Sequence, residues 1–120
     1  LIAADDAHWR NADSGKAWLQ VKAQERDAAA IVEAVITGAF YATEGPEIHG
    51  FRIEEKRVVV KTSPVAEVRF TSWRKKGQVA RAEDGGQTEW EVALRGGEKY
   101  VRLECVAADG SMAWSNPIYV

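Results

Sequence analysis

Tyr100-Val101-Arg102-Leu103-Glu104-Cys105-Val106-Ala107 is the stretch on which the fold turns. Val101, Leu103 and Cys105 alternate with Arg102 and Glu104, the two-residue period of a strand with one face in a core and the other in water. The same alternation recurs upstream. Trp90, Val92 and Leu94 interleave with Glu89 and Glu91, and Val68 and Phe70 interleave with Glu67 and Arg69. Outward from these segments, strand patterns fall at 48–54, 57–61, 66–72, 78–83, 88–94, 100–107, 112–114 and 118–120. Turn residues separate most of them: Ser63-Pro64, Lys76-Gly77, Asp84-Gly85-Gly86, Gly96-Gly97 and Asp109-Gly110. The expectation is a mainly β chain with an antiparallel, immunoglobulin-like β-sandwich of seven or eight strands. Cys105, on the inner face, reads as a small core hydrophobe.

Before Pro46 the pattern is different. Asp27 is a good N-cap, Ala28, Ile31, Val32, Val35 and Ile36 form one apolar stripe, and Gly38 stands where a left-handed C-terminal residue is expected. This predicts one helix of about three turns. Ala17-Trp18-Leu19-Gln20-Val21 reads as a short strand, and Phe40-Tyr41-Ala42-Thr43 leads into the breaker Glu44-Gly45-Pro46. The chain opens with Leu1-Ile2-Ala3-Ala4 and passes straight into Asp5-Asp6-Ala7-His8. An apolar run bounded by acids reads as a buried strand of a mostly parallel sheet ending at a polar site, with a missing portion expected on its N-terminal side. The expected organisation is thus a short α/β remnant over 1–46 and a sandwich over 47–120.

With 120 residues, 46% of them hydrophobic and 28% charged, the chain has the composition of an ordinary folded domain. Sixteen lysines and arginines against eighteen acids leave a net charge of -2, which gives no electrostatic reason to bind nucleic acid or an anionic membrane. No apolar stretch approaches the ~20 residues that cross a bilayer as a helix. A lone cysteine excludes an internal disulfide and favours a reducing, cytoplasmic compartment.

Only two histidines are present, so chemistry that needs imidazole is narrowly placed. Asp6 and His8 are the strongest candidates. Two apart on an extended segment, they leave the same face with Cα atoms about 6.5–7 Å apart, within reach of one metal ion. Carboxylate plus neutral imidazole is a ligand set for zinc, manganese or iron. A catalytic zinc site needs about three protein ligands and an open position, so two do not suffice. His49 reads as a surface or capping histidine before it reads as a third ligand. Of Trp9, Trp18, Trp73, Trp90 and Trp114, Trp90 is core-facing and Trp73, beside the basic tip Arg74-Lys75-Lys76, is expected to be exposed.

Three stretches together resemble one family. Leu1-Ile2-Ala3-Ala4-Asp5-Asp6-Ala7-His8-Trp9 is similar to the last metal-binding motif of the PHP (polymerase and histidinol phosphatase) superfamily of metal-dependent hydrolases, where an Asp-x-His closes a distorted (β/α) barrel. Ala34-Val35-Ile36-Thr37-Gly38-Ala39-Phe40-Tyr41-Ala42-Thr43-Glu44-Gly45-Pro46-Glu47-Ile48 resembles the helix and the passage that follow it in larger bacterial members. Tyr100-Val101-Arg102-Leu103-Glu104, Asp109-Gly110 and Ala113-Trp114-Ser115-Asn116-Pro117-Ile118 resemble the ending of those proteins. The resemblance implies that Asp6 and His8 are the final two ligands of a divalent-metal cluster that polarises a phosphoryl or related ester and activates the attacking water. The other ligands of that cluster have no counterpart in this chain.

The expected function is therefore that of the C-terminal portion of a PHP-type phosphoesterase or hydrolase, inactive alone, with an accessory sandwich for packing or assembly. Its expected partners are the missing N-terminal barrel and, through the bare side of the helix, a second copy. The alternative is a non-catalytic sandwich that binds carbohydrate or protein.

Overall fold

The computed structural model describes residues 1–8, 12–75 and 77–120, with Lys75 described by its backbone alone. Trp9 and Lys76 lie outside the described residues. The fold is mainly β. Ten strands are described: β1 (Trp18–Val21), β2 (Phe40–Thr43), β3 (Ile48–Glu54), β4 (Arg57–Val65), β5 (Glu67–Ser72), β6 (Gln78–Arg81), β7 (Gln87–Ala93), β8 (Tyr100–Val106), β9 (Met112–Ser115) and β10 (Ile118–Tyr119). One helix, α1 (Ala28–Thr37), joins β1 to β2.

The strands form two antiparallel sheets stacked as a sandwich. The larger has the order β1-β2-β9-β8-β5-β6, with β10 also paired to β8, and the smaller has the order β3-β4-β7. Alternation decides which side chains meet between them. Val58, Val60, Val65 and Trp90 from the small sheet pack with Val68, Phe70, Val101, Leu103, Cys105 and Ala113 from the large one. The Trp90 indole N–H donates to the buried Thr62 hydroxyl at 3.3 Å, so its polar end is satisfied inside the core. Cys105 is fully buried, and that burial pushes its thiol up to about 12. Glutamates on the outer faces pair with cations across and along strands: Glu67 with Arg69 and Arg81, and Glu91 with Arg57.

Three local readings change. Leu1-Ile2-Ala3-Ala4 forms no strand; Leu1 and Ile2 are 56% and 72% exposed. Among the described residues the run pairs with neither sheet, so it lacks the ladder of backbone hydrogen bonds that makes an extended segment a strand. Ser63-Pro64 is no turn between strands but lies within β4, where the register with β7 shifts between Lys61 and Val65. A bulge is one of the few places where a strand tolerates proline. Phe40-Tyr41-Ala42-Thr43, read as a lead-in to a breaker, is β2, and it pairs with β1 on one side and β9 on the other. The large sheet therefore runs across the division expected at Pro46.

α1 forms as its caps dictate. The Asp27 side chain accepts from the Ala30 amide at 2.8 Å, and Gly38 closes the helix at φ 79, a left-handed angle that glycine adopts without strain. Its orientation is unusual. Ala34 is its buried residue, while Ile31, Val32 and Ile36 are exposed, Ile36 by 79%.

Candidate functional site

The segment that carries Asp6 and His8 is tied down by its neighbour. Both carboxylate oxygens of Asp5 accept backbone amides from the turn that leads into β1: Gly15 at 2.5 Å, Lys16 at 2.7 Å and Ala17 at 2.7 Å. The Ala17 bond, followed by that of Gly15, holds the Asp5 carboxyl below the usual carboxylate range, since three donors favour the charged form. Asp5 is thus a structural clamp, and Asp6 beside it is exposed at φ 51. This left-handed residue turns the chain, so Asp6 and His8 do not sit two apart on a straight strand.

His8 is held by Asp13. Its backbone N–H donates to Asp13 Oδ1 at 2.9 Å, and its ring Nδ1 lies 3.4 Å from Asp13 Oδ2. The histidine side chain is 63% exposed and the aspartate 22%. A carboxylate on Nδ1 fixes the ring and leaves Nε2 for a ligand role, the arrangement that metal-binding histidines commonly have. Sequence reading passed over Asp13; its only signal was its place five residues after a candidate ligand. Among the described residues, no three histidines, cysteines, aspartates or glutamates come together as a metal site. Asp6 and His8 carry oxygen and nitrogen donors, types that suit a divalent ion.

His49 stands apart, exposed, with Nε2 2.8 Å from Glu47 Oε2. Trp73 is 42% exposed, and its ring carries two cations, with Lys99 Nζ 5.1 Å and Arg74 Cζ 5.8 Å from its centroid. Each attracts the ring quadrupole.

A second feature was not legible in the sequence. A cleft of about 640 Å³ opens where the ends of β1 and β2, the start of β3 and the β9–β10 connection meet. It joins two stretches singled out separately above. The Asn116 side-chain amide donates to Gly38 O at 2.9 Å and Phe40 O at 3.1 Å. Tyr41 and the Glu47–His49 pair lie on its walls. Partial burial raises the Tyr41 phenol above its ordinary range, with its oxygen held by the Ile48 main chain. Comparison with family models, curated proteins and solved structures finds no match to this chain.

Proposed function

We propose that this chain is the C-terminal portion of a PHP-type metal-dependent hydrolase, in which Asp6 and His8 supply two ligands of a divalent-metal site acting on a phosphoester or related ester. The observation that carries the reading is the double hold of Asp13 on His8, through the backbone amide and through Nδ1. An exposed histidine on an irregular segment has no packing reason to be oriented. A carboxylate behind it fixes the ring's orientation, with Nδ1 engaged and Nε2 turned outward, as second partners of metal-binding histidines do. Asp5 serves the same end by fixing the backbone on which Asp6 stands.

A bound metal would polarise the ester oxygen and lower the pKa of water. The residues of this chain bind and orient; the remaining ligands belong to the expected N-terminal barrel. The outward face of α1, with Ile31, Val32 and Ile36 exposed, is the surface on which we place the contact with that barrel. A second copy meeting there is the competing arrangement, and light scattering on the isolated chain, with a monomer expected, decides between them.

Titration calorimetry with Mn²⁺ and Zn²⁺ tests the ligands. Weak binding is expected from the chain and is abolished in Asp6→Ala and in His8→Ala; binding unchanged in both variants rejects the assignment. The coding sequence upstream of Leu1 tests the wider reading: a His-x-His motif is expected there, and a start codon directly before Leu1 overturns it.

A further inference from the structure

The two sheets are unequal. Register across the large sheet places Trp18 opposite Thr43, Thr43 opposite Ala113 and Ala113 opposite the buried Cys105, so Trp18 lies on the core-facing side, and Gln20, two residues on, shares that face. Yet Trp18 is 39% exposed and Gln20 is exposed as well. The cause is the three-strand small sheet, which ends at β3. β3 pairs with β4 and, among the described residues, has no neighbour on its other edge. The cleft lies along that open edge.

We propose that the free edge of β3 is a strand-addition site, taking an extended peptide segment as a fourth strand of the small sheet, seated in the cleft over Gln20 and Tyr41. An edge strand presents a row of backbone donors and acceptors that an extended backbone matches along its length. A cleft of about 640 Å³ beside the first half of β3 gives room for the inward side chains of such a segment. An apolar wall from Phe51, which packs against the core, accepts those side chains, and the Tyr41 hydroxyl, whose oxygen the Ile48 main chain holds, keeps its proton as a donor.

A second copy does not fit this edge. Seven residues of strand span about 24 Å, and two β3 edges pairing alone would bury roughly 500 Å², far below the ~1,200 Å² of a stable interface. A single extended segment needs no such area, because backbone pairing along one strand edge is enough to seat it.

The test is selection of phage-displayed random heptapeptides on the intact chain, followed by titration of the strongest synthetic peptide against backbone amide shifts. Shifts and slowed amide exchange are expected along β3 and at Gln20 and Tyr41, and Gln20→Arg is expected to weaken binding by about tenfold or more with an unchanged melting temperature. Failure to enrich any peptide, shifts that map elsewhere, or unaltered affinity in Gln20→Arg overturns the proposal. So does a dimer with β3 protected, or binding of glucose or galactose at the same amides in place of peptide. None of these outcomes bears on Asp6 and His8, whose metal titration is read separately.

Discussion

Asn116 and Gly38, 78 residues apart in the sequence, are joined by a 2.9 Å hydrogen bond from the Asn116 side-chain amide to the Gly38 carbonyl, and the same nitrogen donates to Phe40 O at 3.1 Å. The pair links the last turn of α1 to the β9–β10 connection and fixes one wall of the cleft. Asn116→Ala leaves two partly buried carbonyls short of a donor. It is expected to lower stability by about 1–3 kcal/mol in urea unfolding, with an unchanged slope.

Position in the sandwich sets the cost of removing an aliphatic side chain. Leu103 is fully buried in the core and Ile36 is 79% exposed. Leu103→Ala is expected to cost about 2–5 kcal/mol, and Ile36→Ala in the isolated chain less than about 0.5 kcal/mol. Thermal unfolding of both variants checks the contrast.

The Asp5 clamp depends on pH. Its carboxyl titrates lower in the folded chain than in the unfolded one, so the charged form stabilises the clamp at all pH above about 4, and that contribution is lost as pH falls through the depressed folded value. Protection of the Gly15, Lys16 and Ala17 amides, relative to their intrinsic exchange rate at each pH, is expected to fall on acidification below about pH 4, and in Asp5→Asn already at neutral pH. Unchanged protection in that variant would show that the three bonds do not hold the segment.

If Asp13 orients His8, Asp13→Ala leaves both candidate ligands in place and still weakens metal binding, by about 10–100-fold. Calorimetry with Mn²⁺ on the chain and on the variant reads this directly. Asp13→Asn, which keeps an acceptor on Nδ1, is expected to retain more affinity than the alanine variant.

Cys105 is sealed in the core with its thiol pushed up to about 12, so the thiolate fraction at pH 8 is negligible. Iodoacetamide is expected to leave the folded chain unmodified and to label it fully in 6 M guanidinium. Labelling under native conditions at a rate like that of a free thiol would contradict the burial.

The β-sandwich was legible because its strands carry their orientation in their own letters. Val101, Leu103 and Cys105, and likewise Val68 and Phe70, alternate with charges, and a two-residue period with one buried face specifies a strand wherever it ends up. Asp27 and Gly38 marked the ends of α1 for a similarly local reason, since each satisfies helix-end groups with its own side chain or backbone freedom. β2 was not legible. Four residues, Phe40-Tyr41-Ala42-Thr43, become a strand because β1 and β9 lie on either side of them, and pairing partners some 20 and 70 residues away leave no local mark. The run Leu1-Ile2-Ala3-Ala4 erred in the opposite direction, because apolar letters state a preference for burial without supplying a sheet.

The candidate site divides along the same line. Asp6 and His8 stand out in the sequence by residue type and spacing, which are properties of the letters. Which carboxylate clamps the backbone, which orients the imidazole, and that a cleft forms beside an open strand edge follow from how distant segments are brought together. Sequence alone determined the strand faces and the helix ends, because these depend on neighbours two to four residues away. Tertiary structure decided the sheet order, the unequal sheets and the hold of Asp13 on His8, because hydrogen bonds and burial between remote segments exist only once the chain has closed on itself.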